Sequence, residues 1–273
     1  MLFELGENNY IESPFNYTGS KFRLLDQIYP YFPKEDVTFV DLFVGGGSVF
    51  INSLYNKIIA NDIITPLMSF YRELQDMPLD FILEKINSLK IDKTDQAEYT
   101  LKRENFNLGG AKEPYLFFAL LCSCTNNMIR FNKEFKFNQT FGKRTFNKNT
   151  QEKMTLFYNK LKTKDVLFLN KPYYEVPIPT DSFVYLDPPY LITEAGYNAF
   201  WSKENEKNLY SFIDSLNDRG IKFMLSNVAK HKGVVNPHLD KLNKYKIINL
   251  NLDYNKVSRS GESNSTEIMV INY

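Results

Sequence analysis

The chain contains few of the side chains that bind metals or form disulfides. Its 273 residues include two cysteines, Cys122 and Cys124, and two histidines, His231 and His238. Two cysteines this close together are too few for a disulfide framework, and two histidines argue against a zinc site or a histidine general base. No apolar run approaches the length that spans a membrane, and no signal peptide opens the chain. We therefore expect a metal-independent, cytoplasmic protein without membrane association.

The length and composition suit one folded unit with an uneven distribution of charge. A hydrophobic fraction of 43% supports a sizeable core, and 273 residues suit one large α/β domain or a core with a smaller lobe. The net charge is +1, but residues 130–171 contain 11 Lys and Arg against 3 Asp and Glu. A basic stretch on an otherwise acidic chain is typical of proteins that hold a polyanion at one face.

Aromatic and asparagine side chains are interleaved with the charges of this basic stretch. Arg130, Phe131 and Asn132 are followed by Phe135 and, further on, by Arg144. Asn and Arg are the side chains that pair bidentately with the edges of adenine and guanine. A lysine-rich, solvated surface is the alternative, but the interleaving favours contact with nucleic acid.

The segment Asp187-Pro188-Pro189-Tyr190 follows a short apolar run, residues 183–186, that is typical of a buried strand. The prolines stop the strand, so a carboxylate, a backbone carbonyl and an aromatic ring meet at its end. This arrangement suits the exocyclic amino group of a nucleobase, whose delocalised lone pair attacks poorly. Asp187 and the Pro188 carbonyl can each accept one amino hydrogen, and Tyr190 can stack on the base. A proline-rich turn closed by a surface aspartate is the alternative, because four residues recur by chance.

A glycine turn in the N-terminal third predicts a second site. Residues 38–43 form a β-rich run that leads into Gly45-Gly46-Gly47 and then into the start of a helix. Such a unit is typical of nucleotide binding, because glycines let the backbone approach a ligand closely. The next apolar run ends near Asp62, where a carboxylate can accept both hydroxyls of a ribose. The spacing is not G-x-G-x-x-G, so a pyrophosphate is not specifically indicated, and an ordinary tight turn is the alternative.

Lys21 stands at the start of a predicted helix over residues 22–29. The helix dipole does not favour a cation there, which indicates an anionic partner such as a carboxylate. Further helices are predicted over residues 66–89, 95–107, 114–128 and 201–219, the last with Ser202 as its N-cap, and further strands over 166–169, 221–226, 245–252 and 266–272.

Taken in order, these motifs resemble the α-group DNA adenine-N6 methyltransferases, the group that includes the Dam enzymes, and within it most closely the T-even bacteriophage enzymes. The similarity covers NYTGSK at 16–21, VDLFVGGGSVF at 40–50, ANDI at 60–63, NMIRFN at 127–132, FGKRTFNKN at 141–149, DPPYLIT at 187–193 and SLNDRGIKFMLSN at 215–227. The chain departs from the group at Asn126, where a serine is usual, and at Thr140, where a proline is usual. Those two departures concern sequence preference rather than chemistry.

The resemblance implies an α/β fold with a Rossmann-like, S-adenosylmethionine-dependent methyltransferase core. Residues 1–69 and 166–273 would form this core, and residues 70–165 a mostly helical target-recognition lobe inserted into it. The residues implied to bind S-adenosylmethionine are Tyr17, Lys21, Gly45, Gly47, Asp62, Pro172, Tyr173, Asp187 and Tyr197. Asp187, Pro188 and Tyr190 would be catalytic, whereas the residues implied to contact DNA are Asn126, Met128, Arg130, Asn132 and Arg144.

The sequence and the resemblance together predict a site-specific DNA-adenine methyltransferase. It would flip an adenine out of double-stranded DNA and methylate its N6 amino group. The resemblance implies GATC as the target sequence. No obligate protein partner is indicated. One alternative is methylation of RNA or of a protein glutamine amide, although the glutamine enzymes carry Asn where this chain has Asp187. The other is a non-catalytic DNA-binding protein, against which the intact set of Lys21, Asp62 and Asp187 argues.

Overall fold

The computed structural model of the chain describes residues 10–17, 19–192, 201–250 and 265–273. The described part is built around one sheet of eight strands. They are β1 Thr38–Asp41, β2 Lys57–Asn61, β3 Asp165–Leu169, β4 Ser182–Leu186, β5 Lys222–His231, β6 Val234–Val235, β7 Lys246–Leu250 and β8 Ser265–Ile271.

The sheet has the strand order β3-β2-β1-β4-β5-β8-β7, and β6 pairs with β5 outside this path. Strands β1 to β5 are parallel, whereas β8 runs antiparallel to both β5 and β7. The strand order reverses between β1 and β4. In open α/β sheets, ligands bind beyond the carboxyl ends of the strands at such a switch point. This topology confirms the predicted α/β class with a Rossmann-like core.

The central strands form because their apolar runs are covered on both faces. Every residue of β1 and β4 is buried, as expected for parallel strands between two layers of helices. On one face, the rings of Phe39 and Phe183 stack with centroids 5.6 Å apart. On the other face, Val40 and Val184 belong to a second buried cluster.

Helices cover the sheet and extend beyond one side of it. They are α1 Leu25–Ile28, α2 Ser48–Asn52, α3 Thr65–Asp76, α4 Leu79–Ser88, α5 Gln96–Leu108, α6 Pro114–Ser123, α7 Lys148–Leu161 and α8 Lys203–Asp218. Short 3-10 helices cover Lys21–Leu24, Tyr29–Tyr31, Thr125–Asn127, Tyr173–Glu175 and Leu239–Leu242. Helices α2, α3 and α7 pack on one face of the sheet and α8 on the other. Helix α6 packs against α3, α4 and α5.

Two predicted helices differ from the structure: one is broken in two, and the other ends early. The helix predicted over residues 66–89 breaks into α3 and α4 at Pro78, because proline lacks a backbone N–H and disfavours a helical residue before it. The helix predicted over residues 114–128 stops with α6. Beyond it, Asn126 and Asn127 have left-handed φ angles of 59° and 54°, which a continuing helix cannot contain.

Helix α7 is absent from the helices predicted from the sequence, which stop at residue 128 and resume at residue 201. Its buried side chains are Met154, Phe157 and Leu161, spaced three and four residues apart on one face. The side chain of Asn147 caps its first turn by accepting from the backbone N–H of Thr150. The apolar stripe is real but narrow, and the charges around it obscured the helical period.

Two helices that pack on the sheet, α3 and α7, lie partly or wholly within residues 70–165, the predicted lobe. Helix α3 spans residue 70, and the hydroxyl of Tyr71 donates to the carbonyl of Gly45 at 2.8 Å. In α7, the ring of Phe157 lies 6.0 Å from that of Phe50. These helices tie residues 70–165 to the sheet, and the domain boundaries themselves stay a prediction.

Helix α8 carries a fully buried carboxylate close to its start. Glu206 accepts hydrogen bonds from Trp201 Nε1 at 2.8 Å, Tyr210 Oη at 2.6 Å, Asn227 Nδ2 at 3.1 Å and Asn236 Nδ2 at 3.3 Å. Four donors compensate for the loss of hydration at this carboxylate. The network joins α8, β5 and the segment after β6, and it fixes Trp201 at the edge of the candidate site.

We expect Glu206→Ala to lower the free energy of unfolding by about 3 kcal/mol, because four buried donors lose their acceptor. Glu204→Ala is the matched control, since Glu204 is an exposed residue of the same helical turn. It should change stability by less than about 0.5 kcal/mol. Urea denaturation followed by circular dichroism measures both. Equal, small losses in the two variants would contradict a stabilising role for the Glu206 network.

Candidate functional site

A cavity of about 650 Å³ opens at the carboxyl ends of β1, β2 and β4. It therefore lies at the switch point of the sheet, where ligands are expected. The predicted site residues that line it are Tyr17, Lys21, Gly45, Asp62, Arg130, Pro172, Tyr173, Asp187, Pro188 and Tyr190. The fold thus brings into one cavity motifs that are far apart in the sequence.

Lys21 is buried beside the cavity and is surrounded by oxygen atoms. Its Nζ lies 3.0 Å from Asp187 Oδ2 and 3.8 Å from Glu267 Oε2, and it donates to the Gly19 carbonyl at 2.9 Å. A buried ammonium is stable only with such partners. The anionic partner predicted for Lys21 is therefore present within the chain, and Asp187 supplies it.

Tyr190 fixes the other oxygen of the same carboxylate. Its hydroxyl donates to Asp187 Oδ1 at 2.7 Å and lies 2.9 Å from Ser226 Oγ. Burial raises the pKa of Tyr190 well above its ordinary value, and the charge of Asp187 adds to this, so the hydroxyl stays protonated. Lys21 Nζ lies 5.0 Å from the centre of the Tyr190 ring, and 8% of Tyr190 is exposed. Asp187 is therefore oriented from two sides, with the Pro188 carbonyl next in the chain.

The glycine turn is a cradle for the ring of Tyr17. Gly45 has a φ of 49°, and a Cβ there would lie 2.7 Å from a Tyr17 ring carbon. At Gly46 a Cβ would lie 2.9 Å from Tyr17 Cβ. Gly47 does not line the cavity; its φ of 78° allows close packing against Tyr71. The close approach that the glycines were expected to allow is, in this structure, made by Tyr17.

Asp62 lies at the end of β2, as the sequence predicts for a carboxylate facing the ligand. Its Oδ2 accepts from the Gly45 backbone N–H at 2.9 Å and its Oδ1 from the Ile64 N–H at 3.0 Å. Burial raises the pKa of Asp62, whereas the hydrogen bonds from Gly45 and Ile64 oppose the shift. Each carboxylate oxygen keeps a second lone pair for a ligand.

Asp41 is a cavity residue that the sequence analysis did not select. It ends β1 and is 1% exposed, and its Oδ1 has no hydrogen-bond partner among the described residues. Burial raises the pKa of Asp41 well above its ordinary value, and the charge of Asp187 raises it further. A carboxylate that ends an apolar strand, four positions before Gly45, was the available signal.

Aromatic rings form one end of the cavity. Pro172 and Tyr173 lie there as predicted, and Tyr173 packs 5.4 Å from Phe43 and 6.4 Å from Trp201. Phe43 and Trp201 also line the cavity and were not selected from the sequence. Tyr197, a predicted cofactor residue, lies outside the described residues. These rings provide flat apolar surface of the kind that holds a heterocyclic base.

Of the predicted DNA-contacting residues, Arg130 lines the cavity. Its Nε donates to Asn138 Oδ1 at 2.9 Å, and a terminal nitrogen donates to the Asn138 carbonyl at 2.7 Å. Arg144 is exposed and donates to Asn127 Oδ1 at 2.7 Å. The Nδ2 of Asn127 in turn bonds the carbonyls at the end of α6. Both guanidinium groups are thus held in place by asparagines.

The other predicted DNA-contacting residues do not line the cavity. Asn126 is exposed with a φ of 59°, and Met128 is partly buried. Asn132 Oδ1 accepts the backbone N–H groups of Glu134 and Lys136, each at 3.0 Å. The side-chain oxygen of Asn132 therefore stabilises a chain reversal, and the role of Asn132 toward DNA stays a prediction.

Hydrogen bonds between backbone groups join the loop after α6 to the loop that contains Thr140 and Gly142. The Thr125 N–H donates to the Thr140 carbonyl at 2.8 Å, and the Gly142 N–H donates to the Ser123 carbonyl at 2.9 Å. A Cβ at Gly142 would lie 2.3 Å from the Cys124 carbonyl oxygen, so only glycine fits there. This contact places the loops that carry Asn126 and Arg144 side by side.

None of the helices in the described part of the chain is long and apolar enough to cross a membrane. No group of three or more His, Cys, Asp or Glu side chains in the same residues is placed to hold a metal ion.

Residues 17–256 match the model of the D12 class N6 adenine-specific DNA methyltransferases. The chain is 36% identical over 283 residues to the modification methylase StsI of Streptococcus sanguinis and 34% identical to the type II methyltransferase M.FokI of Planomicrobium okeanokoites. Each alignment covers 97% of this chain, which spans 43% of the length of these two relatives. The chain is also 30% identical to the DNA adenine methylase of Escherichia coli K12, over 77% of this chain and 78% of that relative.

We expect Gly45→Ala to destabilise the protein more than Gly220→Ala. Both glycines have a positive φ, which costs an alanine roughly 1 kcal/mol. At Gly220 nothing lies within 4 Å of the added Cβ, whereas at Gly45 it meets the Tyr17 ring. Overpacking adds about 1–3 kcal/mol, and thermal unfolding should show the difference. If Tyr17→Ala combined with Gly45→Ala does not recover this difference, the cradle is not what limits residue 45.

Proposed function

Because the chain belongs to the D12 class N6 adenine-specific DNA methyltransferases, we propose that it transfers a methyl group from S-adenosylmethionine to the N6 amino group of an adenine in double-stranded DNA. The observation that carries this proposal is the Asp187 carboxylate at the end of β4. Lys21 and Tyr190 hold it in one orientation beside the Pro188 carbonyl. It faces the same cavity as the glycine turn and Asp62.

The residues around the cavity fit S-adenosylmethionine. The volume of about 650 Å³ is in the range of cofactor sites. Asp62 would accept the ribose hydroxyls, Pro172 and Tyr173 would flank the adenine, and Tyr17 with Lys21 would hold the methionine end. The buried Oδ1 of Asp41, which has no hydrogen-bond partner among the described residues, is a polar atom at the cavity that a bound ligand would satisfy. When bound, the cofactor supplies an electrophilic methyl group on its sulfonium.

The chain itself supplies orientation and electrostatics for the attack. Asp187 and the Pro188 carbonyl would accept the two hydrogens of the adenine amino group and concentrate charge on its nitrogen. Lys21 holds Asp187 Oδ2 and Tyr190 holds Oδ1, so the carboxylate needs no reorganisation when the base arrives. No strong base is needed, because the proton leaves readily once the nitrogen is methylated.

The basic stretch, residues 130–171, would recognise DNA. Arg130 is placed at the cavity and Arg144 on the neighbouring loop, both as guanidinium groups held by asparagines. An adenine must leave the duplex to reach the end of β4, at an unstacking cost of a few kcal/mol. Phosphate contacts by surrounding lysines would offset part of that cost.

The target site and the biological role extend this proposal. GATC is the site expected from the resemblance to the Dam enzymes, and the named DNA adenine methylase among the relatives supports testing it first. The two relatives named as a modification methylase and a type II methyltransferase support a modification role beside a restriction nuclease. Similarity to the T-even bacteriophage enzymes and a cytoplasmic location, in a bacterial or phage-infected cell, stay predictions from the sequence.

Two other activities have less support. Methylation of RNA or of a glutamine amide suits the family match less well, since that family is adenine-specific on DNA. A non-catalytic DNA-binding role would not explain why the buried ion pair of Lys21 and Asp187 lies at the cavity.

Methylation-sensitive sequencing of DNA from cells that express the chain tests the proposed function. We expect N6-methyladenine at one short sequence with the wild type. Asp187→Ala should lower single-turnover methylation by at least about a hundredfold, the effect of losing one preorganised electrostatic contact. Asp181→Ala, at the exposed other end of β4, is the matched control and should methylate normally. Absence of N6-methyladenine with the wild type, or normal turnover by Asp187→Ala, would refute the proposal.

We expect arginines and lysines of the basic stretch to affect DNA binding differently. Arg130→Ala or Arg144→Ala should weaken binding to the duplex with the target sequence by about 1–3 kcal/mol. Binding to a single-mismatch duplex should weaken much less. Lys148→Ala should weaken both duplexes alike and lower the salt slope by about one unit, because its exposed ammonium suits a phosphate. Binding titrations at several salt concentrations measure these effects. Equal losses on both duplexes for the arginines would show that they hold the backbone and do not read bases.

A further inference from the structure

A short hairpin, residues 228–236, continues the sheet beyond the carboxyl ends of the other parallel strands. It consists of the last residues of β5 and the two residues of β6, which pair antiparallel with Lys230 opposite Val235. Lys232 and Gly233 connect the two strands with φ angles of 47° and 83°. Positive φ at both central residues is typical of a type I′ turn, whose twist matches that of the flanking strands. The hairpin therefore has one well-defined shape.

The hairpin stands beyond the strand that leads to Asp187. Strand β8 occupies one edge of β5 as far as His231, and β4 occupies the other edge as far as Leu225. Because the first edge is taken, β6 must pair with β5 on the same edge as β4. Lys230 comes five residues after Leu225, which at about 3.3 Å per residue is a spacing of roughly 15 Å. Strand β6 is therefore roughly that far beyond the end of β4.

The base of the hairpin is held by the buried network of Glu206. The Asn236 N–H donates to the Ala229 carbonyl at 2.9 Å, and Asn236 Nδ2 donates to Glu206 Oε1 at 3.3 Å. The Asn236 residue is 2% exposed. On the other side of β5, His231 Nδ1 lies 2.5 Å from Ser265 Oγ, which links the hairpin to β8. The hairpin is consequently a fixed projection from the sheet.

The projecting part of the hairpin displays positive charge and apolar surface together. Lys230 is exposed, as are 56% of Val234 and 58% of Val235. Because Lys230 and Val235 are directly opposite each other, their side chains share one face of the hairpin. Residues 228–239 include two lysines, two histidines and no acidic residue. An ammonium beside an apolar side chain suits the phosphates and sugars of a nucleic-acid backbone.

The place of the DNA duplex follows from the proposed function. An adenine that reaches Asp187 stays joined to its strand through the deoxyribose, so the duplex must lie beyond the carboxyl ends of the parallel strands. The hairpin extends past the same edge of the sheet, on the strand edge that β4 shares. It therefore stands where the strand that carries the target adenine has to pass.

We propose that the hairpin binds the DNA backbone next to the extruded adenine, with Lys230 at a phosphate and Val235 against the adjoining deoxyribose. This inference rests on the proposed function and adds a DNA contact outside the basic stretch. Backbone contacts fix the register and orientation of a protein on a duplex without reading its sequence. The hairpin would thus hold the target strand over Asp187 whatever the flanking bases are.

Two variants of the hairpin and two matched controls test this contact. Lys230→Gln removes one charge, and Val235→Glu places a carboxylate where the proposal puts the DNA backbone. The controls are Lys57→Gln and Leu54→Glu, because both residues are exposed and lie at or just before the start of β2, at the opposite edge of the sheet. Dissociation constants are measured by fluorescence polarisation at several salt concentrations, in saturating S-adenosylhomocysteine. One duplex carries the sequence that the wild type methylates, and the other carries a single mismatch.

Lys230→Gln should weaken binding of both duplexes about fivefold at low salt and lower the salt slope by about one unit, because one phosphate contact is lost. Val235→Glu should weaken both duplexes at least about tenfold, since its carboxylate would face the phosphates. The controls Lys57→Gln and Leu54→Glu should change neither duplex. Both hairpin variants should keep the unfolding midpoint of the wild type and its affinity for S-adenosylhomocysteine, because each change is at an exposed side chain.

A second set of duplexes locates the contact. Each carries one uncharged methylphosphonate in place of a phosphate near the target adenine. At one of these positions the wild type should lose affinity, whereas Lys230→Gln should lose no more, because its contact is already missing. If the losses of the variant and of the modified duplex add at every position, Lys230 does not contact a phosphate there and the proposal is wrong.

Unchanged DNA binding by Lys230→Gln and Val235→Glu would also overturn the proposal. Losses confined to the target sequence would overturn it too, since the hairpin would then read bases. If Val235→Glu changes sedimentation of the protein but not DNA binding, the hairpin joins two copies of the chain instead. Each of these results, with a wild type that methylates DNA, leaves the proposed function intact. A wild type that methylates no DNA would refute the proposed function, and the role of the hairpin with it.

Discussion

The ion pair between Lys21 and Asp187 is the contact on which the arrangement of the site depends. Lys21 follows the N-terminal loop, Asp187 ends β4, and Glu267 approaches the same ammonium from β8. Because the ammonium is buried, loss of a partner would leave an uncompensated charge, which proteins tolerate poorly. Tyr190 completes the arrangement by bridging Asp187 and Ser226 of β5. The fold thereby determines the orientation of the Asp187 carboxylate before any ligand is present.

The parts of the site that the sequence predicts are those with a local signal. Asp187 and Asp62 each follow an apolar strand, and Gly45 belongs to a turn between a strand and a helix, so each could be placed at the same edge of a sheet. Partners brought together by tertiary structure could not be predicted in this way. Glu206 is a single acidic residue in an ordinary helical segment, and only its burial and its hydrogen-bond donors show that it has a defined environment.

Most of the left-handed backbone conformations lie in one region of the chain, residues 111–143. Among the described residues other than glycine, positive φ angles occur there at Ala111, Asn126, Asn127, Phe135 and Lys143, and outside this region at Lys232. Such conformations persist only where the surroundings over-determine them, and they gather at functional loops. These conformations could not be predicted, because non-glycine residues at positive φ carry no strong local signature. The predicted role of the region was therefore easier to infer than its shape.

Two loops approach so closely at Gly142 that a Cβ there would lie 2.3 Å from the Cys124 carbonyl oxygen. Main-chain hydrogen bonds from Thr125 to Thr140 and from Gly142 to Ser123 join these loops, and the Thr125 side chain adds bonds to the carbonyls of Thr140 and Phe141. Side chains of these loops that take no part in the junction can consequently be exchanged without disrupting it. Under the proposed function, target preference could therefore change by point mutation in these loops while the arrangement around Asp187 stays the same.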